Sequence, residues 1–191
     1  LCNLTCANCY IESSPTNDRL SYITSSEVEA YLDEIVADGL GTEKIGLTGG
    51  EPFMNPDIIL MLDAILTRGL RALVLTNGMK PLWKVRDQLL ALKEAHADKL
   101  VIRVSIDHYA QATHEKERGP RSWETAIEGL TWLNENGFAL NIAGRTFGNE
   151  TEDELRAGYA GLFDRLGLTI DPQNPVDLVL FPEMDELADV P

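Results

Sequence analysis

The sequence predicts an α/β fold, a partial (β/α) barrel of TIM type with parallel strands. Five runs rich in Val, Ile and Leu fall at 44–48, 72–76, 99–106, 138–143 and 176–181. Amphipathic helical segments separate them, so strand and helix alternate as βαβ units require. The strand starts lie roughly 27 to 39 residues apart, enough for a crossover helix between parallel neighbours. Right-handed crossovers then give a parallel sheet covered by helices. A flat doubly wound sheet is the second choice, because the same alternation of strand and helix builds it.

The first helix is expected over 26–38. Val28, Leu32, Ile35 and Val36 form its apolar stripe, and Glu27, Glu29, Asp33 and Glu34 lie opposite. Ser26 with Glu29 reads as a capping box at its start, and Gly39 as its stop. Further helices are expected over 57–68, 83–96, 122–136 and 152–166. The last opens on a second capping box, Thr151 with Glu154, and buries Leu155, Tyr159, Leu162 and Leu166. Of the strands, Leu100-Val101-Ile102-Arg103-Val104-Ser105-Ile106 is nearly continuous in apolar character, which suits burial on both faces. Trp83, Trp123 and Trp132 fall on helices, where packing into the core is their default role. Residues 171–175, Asp-Pro-Gln-Asn-Pro, read as a loop, and 182–191 as an acidic edge. The whole of 1–191 reads as one core domain. It opens on Leu1, as a fragment of a longer chain would, with the first barrel strand expected before it.

Composition narrows the class. The hydrophobic share of 44% over 191 residues suits one globular domain with a sizeable core. The net charge of −15 argues against a nucleic-acid partner, since an acidic surface repels phosphate backbones. No apolar run approaches the roughly 20 residues that a membrane-spanning helix needs. All three cysteines fall within the first nine residues. An odd, crowded set of this kind is no disulfide framework; it points to metal or redox chemistry in a reducing compartment, for which the cytoplasm fits best.

The chemistry is expected on loops that follow the C-terminal ends of the strands. Cys2-Asn3-Leu4-Thr5-Cys6-Ala7-Asn8-Cys9 spaces three thiols so that a short loop can wrap them around one cluster. A [4Fe–4S] cluster ordinarily takes four thiolates, so three leave one iron open to a small ligand. The alternative is a zinc-clamped binding module without catalysis, its fourth ligand supplied from elsewhere in the chain. His96, His108 and His114 all lie far from the cysteines in sequence. Leu47-Thr48-Gly49-Gly50-Glu51-Pro52 closes the first strand run. Its glycines let the backbone come close to a ligand, Glu51 offers a carboxylate to an ammonium group, and Pro52 fixes the turn. Taken alone, this segment reads equally well as a plain tight turn.

Together the two motifs resemble those of the radical S-adenosylmethionine (SAM) superfamily, whose marks are a CxxxCxxC loop and a GGE-type motif about 40 residues on. Thr76-Asn77-Gly78 and Ser105-Ile106-Asp107 end later strands in the manner of that family. His114, Arg118-Gly119 and Ser122 look like the stretch that follows in its MoaA-like and SPASM-type branches. One departure is Asn8, where many members carry an aromatic residue before the third cysteine; Tyr10 comes just after it.

The resemblance implies a [4Fe–4S] cluster on Cys2, Cys6 and Cys9, with SAM chelating the open iron. Gly49, Gly50 and Glu51 would hold the methionyl ammonium, with Pro52 shaping the turn. Ser105 and Arg145 would address the ribose hydroxyls and the carboxylate. Reductive cleavage of SAM would release methionine and a 5′-deoxyadenosyl radical that abstracts hydrogen from a peptide or cofactor precursor. An electron donor such as flavodoxin or ferredoxin is implied as a partner. Asp107 and His108 are the candidates for touching substrate, although an Asp at a strand end also serves as a helix cap. Arg145 reads equally well as half of an ion pair, Asn77 as a turn residue, and His96 as a solvated surface histidine.

Overall fold

The computed structural model describes residues 1–17, 19, 21–147 and 150–182. Six helices and five strands alternate along most of it. They are α1 (Ser25–Ala37), β1 (Lys44–Leu47), α2 (Ile58–Thr67), β2 (Arg71–Thr76), α3 (Lys80–His96), β3 (Leu100–Ser105), α4 (Gln111–Arg118), α5 (Ser122–Glu135), β4 (Ala139–Thr146), α6 (Glu152–Leu166) and β5 (Leu178–Pro182). All four strand pairings are parallel, and the spatial order is β1-β2-β3-β4-β5. A doubly wound sheet would reverse direction at a switch point. The sequential order has no such point and makes a curled half-barrel.

The core lies between the helices and one face of this sheet. Ala72 and Val74 of β2, Leu100, Ile102 and Val104 of β3, Ile142 of β4 and Leu178 of β5 are fully buried there. They meet Leu62 and Ile65 of α2, Leu82 and Leu89 of α3, Leu130 and Leu133 of α5 and Tyr159 of α6. On the concave face Arg71, Leu73 and Leu75 are only half buried, so the strands are not covered alike on both sides. Trp83, Trp123 and Trp132 pack against the core from its rim.

Local differences from the sequence expectation have physical reasons. The capping box of α1 is Thr24 with Glu27, one of two overlapping S/T-x-x-E patterns. Thr24 has the extended backbone that an N-cap needs (φ −89°, ψ 159°), whereas Ser26 already lies inside the helix. Val28 and Leu32 face inward, but Val36 is 64% exposed. The second capping box, Thr151 with Glu154, forms as read. Helix α3 begins three residues earlier than its apolar pattern indicates, because Pro81 occupies the first turn, where its missing N–H costs nothing. Helix α4 carries no apolar stripe at all; its buried side chains are His114 and Glu117. His96 is half buried at the end of α3. Residues 171–175 form the expected loop, and 183–191 of the acidic edge lie outside the described residues.

Candidate functional site

The strands deliver their C-terminal ends to one rim of the half-barrel, and the cysteine segment lies across it. Gly50 explains the close seating. A Cβ built there would overlap the carbonyl oxygen of Leu1 and the hydroxyl of Ser13, so only glycine lets the segment approach. The Glu51 N–H donates to the Leu1 carbonyl at 3.1 Å and ties the two loops together. Gly49 has φ +132°, a conformation that side chains disfavour. The close approach expected of this glycine pair is therefore made, at Gly50, to the chain's own cysteine segment.

Helix α4 fastens the same segment from the other side. The Ala7 N–H donates to the Glu117 carbonyl at 2.8 Å, and the Asn8 amide donates to the Glu117 carboxylate at 2.8 Å. The loop between Cys6 and Cys9 is thus held by the last turn of a helix more than a hundred residues away. Cys2, Cys6, Cys9, Gly49, Gly50, Ser105, Arg118 and Arg145 all line one cavity, with Thr76 and Asn77 beside them. Glu51 and Pro52 border a neighbouring cavity instead.

Glu51 is 2% exposed, and its carboxylate is saturated. It accepts hydrogen bonds from Thr76 Oγ1 (2.8 Å), the Asn77 N–H (2.8 Å) and the Phe53 N–H (3.1 Å). Burial pushes this carboxyl above its ordinary range, against the pull of those donors. Glu51 thereby braces the end of β1 against the end of β2. Asn77 has two roles: its oxygen takes the Met79 N–H in a turn, and its amide donates to Asn3 in the cysteine loop at 2.8 Å.

Asp107 does not cap a helix. It receives two hydrogen bonds from Arg118, both 2.8 Å, and Arg145 Nε stands 3.6 Å away. Burial raises the Asp107 pKa, but the charge and hydrogen bonds of Arg118, with help from Arg145, more than offset this and hold it below the usual carboxylate range. His108 Nδ1 accepts the Ala110 N–H, and Nε2 faces Glu150 at 2.7 Å. Neither Asp107 nor His108 lines the cysteine cavity. Arg118 does, and it is the site residue to which sequence reasoning assigned no role. Its signal was faint: a basic residue eleven positions after Asp107, closing a polar helix just before Gly119.

The three cysteines are free thiols. Burial pushes the Cys6 thiol up to about 11 and raises Cys2 as well, so both carry protons at neutral pH without metal. Any metal bound through these thiols must displace those protons. Among the described residues, no three His, Cys, Asp or Glu side chains gather tightly enough to hold a single metal ion. The zinc-clamp alternative finds no support in this arrangement. A cubic cluster takes one thiolate per iron, and three thiols spread around one cavity fit that need.

Comparison with known proteins agrees. Residues 1–157 match the model of the radical SAM superfamily. The chain is 29% identical over 147 residues to the antilisterial bacteriocin subtilosin biosynthesis protein AlbA of Bacillus subtilis, covering 76% of this chain and 31% of AlbA. It is 29% identical over 173 residues to GTP 3′,8-cyclase of Aquifex aeolicus, covering 88% of this chain and 52% of that enzyme. The chain thus spans about a third to a half of the length of these relatives. In fold it matches Streptococcus suis SuiB bound to S-adenosylmethionine, with a TM-score of 0.72 at 15% identity over 97% of this chain and 39% of SuiB. Enzymes of this family use a [4Fe–4S] cluster and SAM. Because the family model spans most of the sequence, from the cysteine loop into α6, this chain belongs to the radical SAM superfamily.

Proposed function

We propose that this chain is the radical-forming core of an enzyme that modifies a peptide or a small cofactor precursor in the cytoplasm. Cys2, Cys6 and Cys9 would hold the cluster, leaving one iron without a cysteine to bind SAM. The Gly49–Glu51 loop, shaped by Pro52, borders the methionyl end. Ser105 and Arg145 address the ribose hydroxyls and the carboxylate. The observation that carries this reading is that the cysteines, the glycine pair, Ser105 and Arg145 open on one cavity.

Together the bound cofactors supply one-electron cleavage of the S–C5′ bond of SAM, with methionine leaving and hydrogen taken from the substrate. A flavodoxin or ferredoxin provides the electron. The protein's own contribution is placement and electrostatics. Arg118 sets a fixed positive charge beside Cys6 and Cys2, where thiolate charge accumulates, and Asp107 keeps that guanidinium in position. Asp107 stands behind the cavity, bonded to Arg118 and facing Arg145. AlbA is named for bacteriocin biosynthesis and SuiB is known bound to the precursor peptide SuiA, which supports the peptide arm. The GTP 3′,8-cyclases support the cofactor-precursor arm.

The test is anaerobic. The whole protein, reconstituted with iron and sulfide and supplied with dithionite and SAM, should slowly form 5′-deoxyadenosine and methionine without substrate. Cys2→Ala, Cys6→Ala and Cys9→Ala should each lose most of their iron and fall to background. Full clusters and measurable SAM binding with no 5′-deoxyadenosine would sink the radical chemistry.

A further inference from the structure

The five strands carry four charged side chains, Lys44, Arg71, Arg103 and Arg145, and all are basic in a chain of net charge −15. Register puts them on one face. Lys44 pairs with Arg71, Leu75 with Arg103, Arg103 with Asn141, and Ser105 with Ala143, two residues before Arg145. Residues two apart share a face of a strand. This is the concave face, opposite the core-facing Ala72, Val74, Ile102 and Ile142.

Three of these cations are accounted for. Lys44 is exposed, Arg71 contacts Asp98 through its carbonyl and its carboxylate, and Arg145 stands beside Asp107 at the cofactor cavity. Arg103 is different. Among the described residues its buried Nε has no hydrogen-bond partner, and Nη2 makes one long bond, 3.3 Å, to the Val176 carbonyl. No acidic side chain among the described residues forms an ion pair with it. Burial lowers its pKa. A guanidinium stays charged in proteins, so this is a fork of donors waiting for an acceptor.

We infer that Arg103 anchors the anionic group, a carboxylate or a phosphate, of the molecule processed in this half-barrel. The inference rests on the radical reading above and adds a substrate class to it. Ser105, at the cofactor cavity, is two residues further along β3, and that step spans about 7 Å. On the concave face Arg103 pairs with half-buried Leu75 on one side and Asn141 on the other, with half-buried Leu73 and Val101 two residues back along their strands. The substrate that fits has an apolar or neutral body, its reacting C–H toward the cavity and its anion deeper in the half-barrel. The planar fork suits a two-oxygen acceptor. A cationic end would face repulsion from Arg103, which forms no ion pair among the described residues.

The probes are hexanoate, hexyl phosphate and hexanol, titrated calorimetrically into the anaerobic, cluster-loaded whole protein already saturated with SAM, so that Arg145 is engaged. At least one anion should bind tenfold or more tightly than hexanol, and which one binds identifies the acceptor chemistry. Arg103→Met should weaken that binding at least tenfold, and Arg103→Lys should keep part of it. Should Arg103→Met fail to fold, the lysine variant carries the test through its partial loss. Equal binding of hexanol, binding within twofold in the variants, or no anion binding at all overturns the anchor. Formation of 5′-deoxyadenosine by the same wild-type preparation shows whether such a failure belongs to the anchor or to the radical reading beneath it.

Discussion

Replacing Arg118 by Met tests the electrostatic frame of the site. The substitution keeps much of the side chain's length and removes the two 2.8 Å hydrogen bonds that Asp107 receives. The Asp107 side chain is 3% exposed and that of Arg118 11%, so water cannot replace the lost donors. Breaking a buried ion pair from one side costs about 3–5 kcal/mol, because the remaining charge is stranded. Arg145 at 3.6 Å still compensates part of that charge, which places the expected loss near the lower end, about 3 kcal/mol. For a domain of this size the melting temperature should fall by roughly 6–12 °C. Urea unfolding of the metal-free protein at pH 7 measures the loss directly. Adding Asp107→Asn removes the stranded charge, so the double variant should regain about 2 kcal/mol over Arg118→Met alone. A loss below 1 kcal/mol, or a double variant no more stable than the single one, would refute the argument that this pair is a buried, mutually dependent unit.

Other outcomes follow from the same geometry. Gly50→Val should reduce iron retention as well as SAM binding, because its side chain would displace Leu1 and Ser13 and with them the cysteine loop; normal iron content with weakened SAM binding would place the glycine's role at SAM alone. His114 is fully buried, and burial holds its pKa down at about 4, against an ordinary 6.5. Well above pH 6.5 it is neutral in both folded and unfolded chains; as the pH falls through 6.5 toward 4 the unfolded chain gains the proton first, so stability is lost across that window. His114→Gln should therefore lack about 2 kcal/mol of the wild-type loss between pH 7 and pH 5, and parallel stability curves for the two proteins would contradict this.

The alternation of strand and helix was legible because it rests on local periods. Alternating apolar runs and amphipathic segments announce βαβ units, and right-handed crossovers do the rest. The choice between a half-barrel and a doubly wound sheet was not local, since it depends on which strands become neighbours. Helix α4 escaped notice because its buried residues, His114 and Glu117, are polar, and a hydrophobic period cannot reveal them. The cysteines and the glycine pair were visible as motifs, and the structure brings them to one cavity. The direction of each side chain was not visible. Glu51 reads as an acceptor for a ligand, yet its oxygens are spent on Thr76, Asn77 and Phe53. Arg118 gains its position only from Asp107, across a turn and a helix that sequence spacing does not fold.

The fastening of the cysteine loop to α4 also bears on the order in which the molecule assembles. Asn8 and Glu117 are 109 residues apart, so their contact closes a very long loop of chain. Closing it early would cost entropy that only the finished sheet repays. On entropic grounds strands β1 to β3 and helix α4 are expected to come together first, with the first seventeen residues docking after them. A chain emerging from synthesis exposes its three thiols before it contains the helix that will seat them. Under the proposed function, iron and sulfide would then be taken up productively only after α4 has formed.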